Sequence, residues 1–350
     1  MQRRGFLGLI ACAGATLLGR GIPAESAEYA GTAAAAIAAI HPSVDMRSHA
    51  WRRSNFALDL QDGGMNVTVL VVTSDRPLLK RDGVRQRALG SMAAGALHTQ
   101  ALQQADDIAR IVSVAGFRAI RTPAQVDLAL TGGRPGVILG YEGGDVLEGS
   151  LERVGEIHAG GARLLQLVHY RVNELGDIQT ETPVHGGLAP FGIDVVRACN
   201  RHGLVVDLAH ATFDATKQAV AAATKPLVLS HTFLSDAARR YTRGITHEHA
   251  RAVAASGGVI GVVPFPTVFA TLPDYVAGIA RMVDAIGIDH VGIGTDMGGL
   301  RGAPPFSRYA QYPLLVRTLL EHGFGREDVA KILGGNFMRV FRAAGMSTSS

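Results

Sequence analysis

Eight short runs of β-forming residues, most of them separated by stretches of helical pattern, set the limits on how this chain can fold. The runs lie at 43–47, 65–73, 136–142, 162–169, 203–210, 226–231, 257–264 and 290–296. Near-continuous apolar runs of this length suit strands buried on both faces of a parallel sheet. Helical patterns occupy 85–115, 151–158, 190–202, 214–223, 246–256, 273–286, 312–322 and 326–343. Thr246 stands as an N-cap with Glu248 in the first turn behind it. Strands and helices alternating in this way over 350 residues predict a single (β/α)8 barrel domain spanning 41–345. The rival is a doubly wound open sheet, which gathers its ligand site at one switch point. Here the polar candidates come from the ends of many strands, which favours the closed barrel.

Four of the runs end on a metal-ligating residue type. Glu142 closes Gly136-Val-Ile-Leu-Gly-Tyr-Glu142, and His210 closes Gly203-Leu-Val-Val-Asp-Leu-Ala-His210. His231 closes Pro226-Leu-Val-Leu-Ser-His231, and Asp296 closes His290-Val-Gly-Ile-Gly-Thr-Asp296. Residues at the C-terminal ends of barrel strands face the mouth where ligands bind. Two imidazoles and two carboxylates meeting there form a donor set that suits zinc. Taken singly, each reads as a hydrogen-bonded rim residue; at four strand ends together they read as a metal centre. Glu142, His210 and His231 make a His2Glu set with room for water, and Asp296 is placed to move its proton. Asp207 reads as barrel wall, His202 as a helix C-terminal cap, and His247 and His249 as surface helix positions. Gly143-Gly144 and Gly298-Gly299 read as tight backbone turns. No nucleotide-binding motif is present.

The N-terminus carries Arg3-Arg4-Gly-Phe6-Leu7 before an apolar Gly/Ala/Leu stretch, the pattern of a twin-arginine export signal over 1–26. Its apolar core is short of the ~20 residues that span a bilayer, so no membrane span is expected in the mature chain. Cys12 comes too early for a convincing lipoprotein box, so a periplasmic product without a lipid anchor is expected. The formal charge of +4 falls to about +2 without that segment, which leaves no footprint for nucleic acid. Cys12 also leaves with it. Cys199 then stands alone in a helical pattern as a small core residue, and no disulfide framework is available.

At these residues the chain resembles the membrane (renal) dipeptidase family of zinc metallopeptidases, from about Asp45 to Phe341. The resemblance is carried by Leu139-Gly-Tyr-Glu142-Gly-Gly; by Gly161-Ala-Arg-Leu-Leu-Gln-Leu-Val-His169 with Asn173; and by Phe191-Gly followed by Asn200-Arg-His-Gly-Leu-Val-Val-Asp-Leu-Ala-His210. Pro226-Leu-Val-Leu-Ser-His231, Arg243-Gly-Ile-Thr, His290-Val-Gly-Ile-Gly-Thr-Asp296 and Gly334-Gly-Asn336 extend it. It implies a (β/α)8 fold with a two-zinc centre in which Glu142 bridges the metals and His210 and His231 hold the second. It further implies that His169 binds and polarises substrate near the scissile carbonyl, that Arg243 pairs with the dipeptide carboxylate, and that Asp296 assists proton transfer. Members of the family are often dimers, but no interface is legible in this sequence.

One motif departs from the family. The first strand should carry His-x-Asp for the first metal, whereas this chain reads Asp45-Met46-Arg47-Ser48-His49. A guanidinium has no lone pair to give, so Arg47 is not a ligand; His49 can be one. The first metal site is weakened or lost, leaving one or two zinc ions. The sharper expectation is that Arg47 itself takes the place of the first metal and pairs with Glu142. The sequence therefore predicts an exported zinc dipeptidase acting on dipeptides or similar small amides. An amidase or lactonase-like hydrolase on the same barrel and a degenerate periplasmic binding protein are the alternatives.

Overall fold

The computed structural model describes residues 42–82, 85–235 and 242–346. The export signal expected over 1–26 and the Ala-rich segment 27–40 lie outside the described residues.

Strands appear in the order β1 (Val44–Ser48), β2 (Val67–Thr73), β3 (Leu79–Asp82), β4 (Arg85–Ala88), β5 (Arg118–Ile120) and β6 (Gly136–Glu142). They continue as β7 (Ala162–Gln166), β8 (Val205–Asp207), β9 (Val228–Thr232), β10 (Val259–Val262) and β11 (Val291–Ile293). One parallel sheet runs β1-β2-β6-β7-β8-β9-β10-β11. It closes on itself where Ser48 pairs in parallel with Met297, His49 N–H donates to the Met297 carbonyl at 2.8 Å, and Asp296 N–H donates to that of Arg47 at 3.0 Å. All residues of β1, β2, β8, β9, β10 and β11 are buried, as expected when helices cover one face and the barrel interior the other. Helices such as Pro190–His202 and Leu272–Ile286 stand between successive strands, and the expected (β/α)8 barrel is found.

The helices form where the local signals ask for them. Thr246 accepts the N–H of His249 as an N-cap. Thr122 and Thr271 each build a capping box, with Pro in the first turn behind them. Gly203 ends Pro190–His202 in the left-handed region, φ 78°. A methyl at Gly261 or Gly294 would run into the Ser230 carbonyl oxygen. Only glycine lets β9, β10 and β11 approach this closely, which brings His231 and Asp296 to one rim.

Several expectations need correction. Helix was expected from 85, but Arg85–Ala88 pairs antiparallel with Leu79–Asp82 and the helix is Ala96–Val114. The three-residue strand β5 was not foreseen; it occupies the first half of β6's edge, and β7 takes the second half. His249 is not a surface residue. It is 3 % exposed, its Nε2 lies 2.8 Å from Thr216 Oγ1, and burial pushes its pKa down to about 4. Cys199 is buried, as expected. Among the described residues no helix is long and apolar enough to cross a membrane.

Candidate metal centre

The barrel rim collects the expected residues, although several sit just beyond their strands. Glu142 and His231 lie within β6 and β9. His169, His210 and Asp296 each come three residues after the last residue of β7, β8 and β11. His210 and Asp296 take positive φ, 71° and 48°, a conformation that side chains other than glycine's adopt under constraint. That turn aims both side chains back over the mouth.

Glu142, His210 and His231 offer ligand atoms that all lie within 4.8 Å of one another, and they are the one such His/Cys/Asp/Glu group among the described residues. The Nε2 atoms of His210 and His231 are 3.1 Å apart. Burial holds both imidazoles well below their usual pKa, helped for His210 by Arg243 and for His231 by Arg47. Two rings that stay neutral turn lone pairs toward a shared point. Ser230 Oγ sits 2.9 Å from His231 Nδ1, which orients that ring with Nε2 inward. This His2Glu set fits one zinc ion with an open position.

The neighbouring side of the mouth is organised around Arg47, whose side chain is fully buried. Its Nη2 pairs with Glu142 Oε1, Nη1 donates to Gln166 Oε1 at 2.9 Å, and Nη1 stands 4.0 Å from Asp207 Oδ2. Its Nε is 4.0 Å from Asp296 Oδ1. Burial lowers the Arg47 pKa while Asp296 and Asp207 raise it; the acidic surroundings keep a guanidinium charged. Asp207 is therefore more than barrel wall: its carboxylate, pushed up by burial and pulled down by Arg47, faces the same cation.

His49 stands outside the three-residue ligand group. Its Nε2 is 3.1 Å from Glu142 Oε2 and 3.4 Å from Asp296 Oδ1. Burial drives its pKa down to about 4, against the pull of Asp296, so the neutral ring carries its proton on Nε2 and donates it to the carboxylates. Asp296 lies at the rim but on the Arg47 side. Burial raises its pKa, yet its contact with His49 and the charge of Arg47 bring it below the usual carboxylate range, so it stays ionised.

His169 is fixed at both ends, with Nδ1 2.7 Å from Asp75 Oδ1 and Nε2 3.1 Å from Glu142 Oε1. Asp75 went unremarked in the sequence, although the same signal marks it: it follows the apolar β2 by two residues. Tyr170 was also missed. Its ring meets those of His169 and His210 edge-on at 4.4 and 4.9 Å. Arg243 donates from Nη1 to Gln179 Oε1 and lines a cavity of about 430 Å³ walled by Phe233, Val263, Phe265 and Pro266. A second cavity, of about 490 Å³, opens over Glu142 and His169. The two meet at Tyr170, His210 and Asp296, and Arg301 lines both.

The profile of the membrane dipeptidase family (Peptidase family M19) matches residues 55–349. The chain belongs to this family. The match begins after β1, the strand whose metal motif departs. Among curated membrane dipeptidase relatives, Dipeptidase tcpJ of Claviceps purpurea is 30% identical over 218 residues, covering 60% of this chain and 51% of that protein. Dipeptidase aclJ of Aspergillus oryzae is 31% identical over 218 residues, covering 59% and 51%. The aligned part thus spans about half the length of these relatives. Solved structures share the membrane dipeptidase fold. An amidohydrolase from Pseudomonas aeruginosa superposes with a TM-score of 0.76 at 22% identity, over 89% of this chain and 98% of that one. A metallo peptidase from Rhodobacter sphaeroides, liganded with a phosphinate mimic of L-Ala-D-Ala, gives 0.74 at 19% identity, over 87% and 99%.

Proposed function

We propose that the protein is a zinc-dependent dipeptidase whose centre holds one zinc, on Glu142, His210 and His231, beside a permanent cation, Arg47. The observation that carries this reading is the juxtaposition of two neutral imidazoles and a carboxylate with a buried guanidinium on that same carboxylate. Zinc bound there supplies a nucleophile at neutral pH by lowering the pKa of water to about 7, and it draws charge from the carbonyl oxygen.

The chain's own groups do the rest. Asp296 accepts the proton of the attacking water and passes it to the leaving amine. His169, braced through Nδ1 by Asp75, stands at the mouth beside Glu142, where it binds the substrate near the scissile carbonyl. Arg243 binds the carboxylate of the leaving residue. The balance is one water consumed: its oxygen joins the carbonyl carbon, the C–N bond breaks, both its hydrogens end on the leaving nitrogen, and a carboxylate and an ammonium depart.

Metal analysis by mass spectrometry on purified protein should find one zinc per chain, and Arg47→His with His49→Asp should raise this to about two. Unchanged stoichiometry in that double variant would remove Arg47 from the role of a metal's replacement. Turnover of a dipeptide panel with and without added zinc tests the activity; failure to cut any of them would end the dipeptidase reading. The amidase alternative is favoured by one observation, the altered first strand, and is separated by the same panel extended to N-acyl amino acids. For localisation, we propose export through the twin-arginine route, checked by fractionating cells that express the full chain or an Arg3→Lys, Arg4→Lys variant.

A further inference from the structure

The cavity over Glu142 and His169 carries more cations than acids on its walls. Among the described residues its walls carry Arg52, Arg76 and Arg301, and the acids among them are Glu142 and Asp296. Glu142 is engaged by Arg47, while Asp296 faces the neutral His49 at 3.4 Å and Arg47 at 4.0 Å. None of the three arginines has a carboxylate within ion-pair distance among the described residues. Arg52 Nη2 instead donates to Thr73 Oγ1 at 3.2 Å and to Gln104 Oε1 at 3.3 Å. Thr73 Oγ1 in turn donates to Glu142 Oε2 at 3.2 Å, so Arg52 stands two hydrogen bonds from the centre. Arg301 Nη2 meets only the neutral Gln86 Oε1, at 3.2 Å. Enclosure in the cleft, then the like charges of Arg76 and Arg47, press the Arg52 pKa down to about 10. Guanidiniums that repel one another around an open space are relieved by an anion.

The adjoining cavity differs. It holds Arg243 against the apolar wall of Phe233, Val263, Phe265 and Pro266. A small amide lying across the shared boundary at Tyr170, His210 and Asp296 would put its leaving residue, with an apolar side chain and a free carboxylate, on the Arg243 side. Its acyl half would then lie among Arg52, Arg76 and Arg301. A free ammonium there would meet three cations, with Asp296 at the shared boundary as the nearest ionised carboxylate not already held by a guanidinium.

We propose that the substrate is a dianionic amide whose acyl half ends in a carboxylate, selected by Arg52, Arg76 and Arg301. This rests on the hydrolase reading above, and within it takes the small-amide alternative over an unmodified dipeptide. The arginines are exposed to the cleft's solvent, so the selection is salt-sensitive.

The test uses the purified protein and two ligands that cannot be cut, the ketomethylene isosteres of N-succinyl-L-phenylalanine and N-butyryl-L-phenylalanine, with binding measured by calorimetry. The succinyl isostere should bind about tenfold more tightly at about 50 mM salt, and the ratio should shrink toward one at about 500 mM. The Arg52→Gln, Arg76→Gln variant should lose the ratio while keeping the parent's melting temperature. Equal binding of the two isosteres, no binding of either, or a ratio that survives in the variant overturns the proposal. Turnover separates the two levels. If N-succinyl-L-phenylalanine and L-Ala-L-Phe both resist zinc-loaded protein, the hydrolase reading falls while isostere binding still judges the arginines. If L-Ala-L-Phe is the better substrate, the hydrolase reading stands and the dianion proposal falls.

Discussion

On the β1 and β11 side of the mouth the cation is part of the chain: Arg47, fully buried, holds Glu142 and faces Asp207 and Asp296. On the β8 and β9 side, 3.1 Å apart, two neutral imidazoles offer lone pairs instead. Glu142 serves both sides. The first side is charged and complete whether or not a metal is present, whereas the second is completed by an ion from outside. The contrast separates stability from metal loading: damage to the Arg47 side should be felt first in folding, and damage to the imidazole side first in metal affinity.

The largest expected effect comes from removing the built-in cation. Arg47→Met leaves the buried carboxylates of Glu142 and Asp207 and the half-buried one of Asp296 without their cation and should cost about 3–5 kcal/mol in urea unfolding; a loss below ~1 kcal/mol would mean the two sides are not as different as drawn.

Acid sharpens the comparison next. His49 has a folded pKa near 4, below its unfolded value of 6.5. Above pH 6.5 neither state is charged and His49 contributes no slope. As pH falls from 6.5 to 4 the unfolded chain binds the proton first, so stability drops, by on the order of 2–3 kcal/mol. His49→Gln should remove that part of the slope at any zinc concentration. His249 gives a similar slope outside the mouth, so the difference between parent and variant isolates His49. Acid loss that depends on zinc belongs to the imidazole side, where protons compete with metal.

Smaller still is the effect of orientation. Ser230→Ala frees the His231 ring and should weaken zinc binding by about 10–100-fold in a competition titration with a chelator. Unfolding of the metal-free protein should change by less than ~1.5 kcal/mol. Least of all, Thr73→Val removes the hydrogen bond to Glu142 and the one accepted from the exposed Arg52 and should shift stability by about 1 kcal/mol.

Much of this was readable in the chain because the barrel strands are buried on both faces and announce themselves as apolar runs. Glu142, His210, His231 and Asp296 stood out as polar groups ending such runs, and Arg47 as a misfit at another. What escaped lacks that contrast. Leu79–Asp82 and Arg85–Ala88 read Leu-Lys-Arg-Asp and Arg-Gln-Arg-Ala, with no apolar alternation to mark a hairpin. Arg118–Ile120 is too short to carry a pattern. His249 sits in a polar stretch, yet shares a helix face with Ala250 and Val253, and only packing against Thr216 reveals its burial. Nor does sequence tell which oxygen of Glu142 a neighbour takes. That Arg47 holds Oε1 and His49 reaches Oε2 depends on how β1 and β6 flank β2, whereas their approach to Asp296 depends on barrel closure between Ser48 and Met297.

That closure bears on synthesis. The pairing of Ser48 with Met297 and the hydrogen bonds from Thr295 to Asp45 join segments that leave the ribosome far apart in time. Until residue 297 has emerged, Arg47 has no Asp296 to face and the rim is a gapped arc. A nascent chain halted before that point would hold Glu142, His210 and His231 in an unclosed sheet, so the finished pocket arises only once the final strand docks beside the first.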